Sequence, residues 1–83
     1  MKLSEDLIRT LQKKYQPSTM VNLRYKGNDL AFKTDKEGNA MQLFVGKKGA
    51  DGMVKGYRYL RTLLHDKNGI VVKDHWDLKG KSS

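Results

Sequence analysis

Two stretches of the chain carry side chains with usable chemistry. In Asp74-His75-Trp76-Asp77 an imidazole stands between two carboxylates, and His65 and Asp66 lie at the other end of what reads as one hairpin. Histidine titrates near neutral pH, and a carboxylate two residues along the same strand face can orient its ring for proton transfer. On a strand His75 and Asp77 share one face while Asp74 and Trp76 point to the other. The carboxylates and imidazoles therefore do not converge as metal ligands must, and no metal or other cofactor is expected. The second stretch is Lys55-Gly56-Tyr57-Arg58-Tyr59-Leu60-Arg61, which as a strand puts Tyr57, Tyr59 and Arg61 on one face. Tyrosine rings stack on bases and guanidinium groups neutralise phosphates, so this face suits a nucleic-acid strand.

The elements that must position these groups follow from period and punctuation. Residues 4 to 15 read as an amphipathic helix, with Leu3, Leu7, Ile8, Leu11 and Tyr15 on one side, Ser4 as cap, Leu3 and Ile8 as staple, and Pro17 as stop. Beyond Pro17 the period becomes two: Val21, Leu23 and Tyr25 alternate with polar residues up to Gly27-Asn28. With Gly27 and Asn28 as a two-residue loop, Tyr25 faces Leu30 and Leu23 faces Phe32. A four-residue loop at Lys36 to Asn39 sets Thr34 against Met41, Phe32 against Leu43 and Leu30 against Val45, so three strands share one apolar face. The glycine-rich, basic segment 46 to 52 reads as a loop into a long fourth strand from about Met53 to His65. A turn at Asp66 to Gly69, with Gly69 left-handed, aligns Leu64 with Val72, Thr62 with Asp74 and Leu60 with Trp76. That alignment turns Leu60, Leu64, Val72 and Trp76 to the core and leaves Tyr57, Tyr59 and Arg61 outside with Lys73, His75 and Lys79.

The expected fold class is α+β, an N-terminal helix packed on a five-stranded antiparallel meander, either open or curled into a small barrel. Residues 1 to 79 form one domain, and 80 to 83 read as a disordered polar tail. Lys55-Gly56-Tyr57-Arg58-Tyr59-Leu60 resembles the first ribonucleoprotein motif of RNA-recognition domains, Lys/Arg-Gly-Phe/Tyr-Gly/Ala-Phe/Tyr-Val-x-Phe/Tyr. Arg58, Leu60 and Thr62 depart from that pattern, and the chain lacks the second helix of that fold. Strand count and charge are also similar to cold-shock and other oligonucleotide-binding barrels, which do not begin with a helix of this kind.

Composition narrows the function classes. Lys and Arg number 17 against 9 Asp and Glu, a net charge of +8 that favours polyanionic partners, and no cysteine is present. Disulfides, thiolate metal sites and cysteine nucleophiles are thereby excluded. No segment approaches the roughly 18 apolar residues of a spanning helix, so a cytoplasmic protein without a membrane partner is expected. The leading reading is a small basic module binding RNA or DNA through Tyr57, Tyr59, Arg61, Lys73, His75 and Lys79, with Lys47 and Lys48 contacting phosphates. The alternative is a protein-interaction or self-assembly module using the same outer face together with Phe44. A small nuclease built on His75, Asp77 and Arg61 ranks last, because no nucleophile constellation accompanies them and catalysis is not the expectation.

Overall fold

The computed structural model describes residues 3–82, and the side chains of residues 3–81. Helix α1 (Glu5–Gln12) leads into five strands, β1 (Met20–Tyr25), β2 (Asn28–Thr34), β3 (Ala40–Lys48), β4 (Val54–His65) and β5 (Val71–Ser82). All neighbouring strands are antiparallel and the sheet order is β1-β2-β3-β4-β5. The helix-on-meander architecture expected from the periodicity is present. The sheet is not closed into a barrel, because β1 and β5 remain at opposite edges.

Ser4 caps α1 as expected: its Oγ accepts from the Leu7 amide at 3.2 Å and lies 3.0 Å from the Tyr25 hydroxyl, fastening the helix to β1. The helix ends at Gln12, earlier than Pro17 alone would require. Lys13 is already extended, Lys14 bridges to Asn39, and the Tyr15 amide donates to the Gly38 carbonyl. That exit carries the Tyr15 ring edge-on to Phe32, 4.9 Å between centroids. Leu7 and Leu11 press onto Leu30, Phe32, Leu43, Val45 and Tyr59, which together form the core on one face of the sheet.

The turns decide which face each strand offers. In the first hairpin the loop is Lys26-Gly27 rather than Gly27-Asn28, so Leu23 meets Leu30 and Val21 meets Phe32. Both loop residues have positive φ, 46° and 79°, as the mirror-image turn that matches strand twist requires. The offset from expectation is even, which leaves the apolar set on the expected side. In the second hairpin Phe32 meets Leu43 and Leu30 meets Val45 as expected, but a bulge after Lys33 sets Thr34 against Ala40 instead of Met41. Asp35 holds this turn by accepting from the Glu37 and Asn39 amides, each at 2.9 Å. Burial pushes its carboxyl pKa up, but those hydrogen bonds and Lys14 outweigh it and leave the pKa lowered.

At the β3–β4 connection, Gly46 stands opposite Gly56. A Cβ on Gly46 would lie 1.9 Å from the Lys55 carbonyl oxygen, and one on Gly56 would lie 2.1 Å from that of Val45. The two strands approach more closely there than side chains allow. The loop is shorter than expected, since Gly46, Lys47 and Lys48 already belong to β3. At the other end of the chain, Gly80, Lys81 and Ser82 do not leave the sheet as a tail; they pair with Arg58, Tyr57 and Gly56. Ser83, the last residue of the expected tail, lies outside the described residues.

Candidate nucleic-acid interface

The β3–β4 register places the fourth strand the other way up from the sequence expectation. Val45 faces Tyr57 and Leu43 faces Tyr59. Tyr57, Tyr59 and Arg61 therefore point to the helix side, and Leu60 and Leu64 to the uncovered side. The β4–β5 pairing absorbs the difference through a bulge at Leu64 and His65, after which Arg61 faces Trp76 and Thr62 faces His75. A one-residue shift in a strand exchanges its two faces, and that shift dismantles the proposed aromatic and cationic surface.

Each of the expected site residues can be located. Tyr59 is 3% exposed and part of the core. Burial, and secondarily the neighbouring Tyr57, raise its hydroxyl pKa. Tyr57 is half-buried against the core, with the Lys81 ammonium 5.8 Å from its ring centre. The Arg61 side chain is 4% exposed and fully engaged: Nε and Nη2 donate to the Asp74 carboxylate at 2.7 Å each, and Nη1 to the carbonyls of Ala40 at 3.1 Å and Leu11 at 3.4 Å. These bonds satisfy a terminal carbonyl of α1 and tie helix, β3 and β5 together. Hydrogen bonding from Arg61 is also the main reason that the Asp74 pKa is lowered. Trp76 lies beneath the helix side with Arg61 5.7 Å from its ring centre, and its buried indole N–H has no hydrogen-bond partner among the described residues. Trp76 thus packs on the core side as expected, beside Arg61 rather than Leu60.

Lys73 and His75 lie across the sheet from this group, opposite Leu64 and Thr62 on the uncovered face. His75 and Asp77 do share a face, with Nε2 and Oδ1 2.7 Å apart, but both are exposed. Arg61 cannot complete a nuclease trio with them because it is enclosed on the opposite side. Lys79 occupies the bulge in β5 facing Arg58 and Tyr59. Lys47 reaches the Gly27 carbonyl through its ammonium group, and the Lys48 amide donates to Asp29 at 2.7 Å. No protein-family model, curated protein or solved structure matches this chain.

Among the described residues the face of the sheet away from α1 carries no helix, and on it Ala31 is buried and Phe44 and Arg58 are half-buried. Across it runs the row Asn22, Ala31, Phe44 and Arg58, each opposite the next. The adjoining row contains Met20, Lys33, Gln42, Leu60 and Asp77. Asp29 on this face is taken by Arg24, at 3.8 Å, and by the Lys48 amide. Lys33, Arg58 and Lys73 have no ion-pair partner among the described residues. Sequence reasoning passed over Lys33 and Arg58. The alternation of Lys33 with Phe32 was a readable signal, whereas Arg58 depended on the β3–β4 register. Among the described residues no group of three or more His, Asp or Glu side chains is placed to hold a metal ion, and no helix is long and apolar enough to cross a membrane.

Proposed function

We propose that the protein binds single-stranded nucleic acid across the uncovered face of its sheet. The observation that carries this reading is the cross-strand neighbourhood of Phe44 and Arg58, flanked by the unpaired Lys33. An aromatic ring on a sheet face can stack on any base, and cations beside it neutralise the phosphates on either side. Lys73 and His75 extend the same face toward the β4–β5 turn. The reading keeps the polyanion partner suggested by the net charge of +8, and Lys73 and His75 among the contacts, but replaces Tyr57, Tyr59 and Arg61 by Lys33, Phe44 and Arg58.

Fluorescence anisotropy with a mixed-sequence single strand at low salt tests it. Binding is expected, and Phe44→Ala should weaken it by about 1 to 3 kcal/mol, the usual contribution of one stacked base. No binding at low salt, or unchanged affinity in both Phe44→Ala and Arg58→Ala, would reject the proposal.

A second reading, self-association, draws on one specific feature. Leu64, Ile70, Val71 and Val72 are 51%, 61%, 49% and 63% exposed and cluster at the tip of the β4–β5 hairpin. An apolar patch of this kind suits contact with a second copy of the chain. Sedimentation velocity over rising concentration would show a dimer that Val72→Lys returns to monomer; a monomer at every concentration rejects it.

A further inference from the structure

Where β1 and β2 meet the β3–β4 connection, the uncovered face is not flat. A cavity of about 390 Å³ opens there, floored by Ala31 and Phe44 and walled by Met20, Asn22, Met53 and Lys55. Asp51 and Gly52 border the same space, although β2 lies between β1 and the hairpin that carries their turn. The turn therefore curls back over the face, as the close crossing of Gly46 and Gly56 permits.

We infer that this cavity is a pocket for one unstacked nucleobase of the bound strand, an inference that rests on the nucleic-acid reading of this face. Its volume is near the lower end of the roughly 300–1,000 Å³ of small-ligand sites, which suits a single ring system rather than a stack. The lining matches a base in kind. Phe44 offers an aromatic face, and Met20 and Met53 bring polarizable thioethers that pack favourably on aromatic rings. Asn22 forms no side-chain hydrogen bond among the described residues, and its amide both donates and accepts, as the edge of a base demands.

The surrounding charge favours a base attached to phosphates over a free apolar molecule. Lys33 stands opposite Met20 and Arg58 opposite Phe44, so an unpaired cation adjoins the pocket on each of two sides. Lys55 borders it directly. The one carboxylate at the rim, Asp51, is engaged by Lys55 at 3.9 Å and by the Met53 amide at 3.0 Å.

Methionine methyl groups provide the test. Of the four methionines, Met20 and Met53 line the pocket and Met41 does not. Protein labelled with carbon-13 at the methionine methyls is titrated with a mixed-sequence single strand, with anisotropy recording binding in parallel, and then with an abasic strand of the same length. The expected result is an upfield ring-current shift of Met20 and Met53, absent with the abasic strand, while Met41 stays in place. Binding by anisotropy with Met20 and Met53 unmoved, or moved equally by the abasic strand, overturns the pocket and leaves the face reading standing. No binding in either measurement overturns both. Met53→Ala, at a position 65% exposed, is expected to keep the fold and weaken binding at least about three-fold; unchanged affinity counts against the pocket.

Discussion

Arg61 shows most plainly how one residue's role depends on its surroundings. In isolation it is a cation beside two tyrosines, suited to phosphate. In the fold its guanidinium is enclosed and donates to Asp74, Ala40 and Leu11, so it serves as a structural tie. Arg61→Ala would leave those acceptors without a donor, and the expected loss is about 3 to 5 kcal/mol in urea unfolding. Arg61→Lys should recover only part of it, because a lysine cannot make the two-pronged contact with a carboxylate. Asp74 gives the pair a pH signature. Its folded-state pKa is lowered below the ordinary 3.8 by the Arg61 hydrogen bonds, so the stabilisation is complete above that pH and is lost as pH falls through the folded value. Unfolding free energy should therefore drop on acidification below about pH 4, and Asp74→Asn should flatten that slope. Asp35, also lowered, contributes with the same sign and keeps the variant's slope from vanishing.

At the scale of elements, turns and bulges determine which side chains share a face. The Lys26-Gly27 loop holds a lysine at φ 46°, a region in which side chains with a Cβ are strained and asparagine is better tolerated. Lys26→Asn is expected to raise stability by about 0.5 to 1 kcal/mol in thermal or urea unfolding without altering the pairing. A decrease would show that the ammonium group's contacts with Asp6 and the Tyr25 ring, at 3.6 and 5.4 Å, outweigh the backbone relief. The existence of the helix, its Ser4 cap and all five strands was legible, because period and punctuation are local properties. The face of β4 was not. Tyr57, Tyr59 and Leu63 compete with Leu60 and Leu64, so alternation does not choose between the two sides.

For the molecule as a whole, one helix packs on one side of an open sheet and, among the described residues, leaves the other side without a covering helix. If Lys33, Arg58 and Lys73 each neutralise one phosphate, the logarithm of the binding constant should fall with the logarithm of salt at a slope of about −2. Arg58→Ala should reduce the slope by about 0.7, and a salt-independent affinity would contradict an electrostatic contact. The amino-acid sequence by itself determined the α+β class, the order of helix and strands, the shared apolar face of β1 to β3 and the basic character. Each of these follows from composition or from spacings within a few residues. Only the tertiary structure decided that Tyr59 and Arg61 lie under the helix and that Arg58, half-buried, turns to the face shared by Phe44 and Lys33. That outcome turned on the β3–β4 register, while the bulge at Leu64 and His65 kept Trp76 on the core side. Long-range pairing sets both, and one residue of slip is enough to turn a strand over.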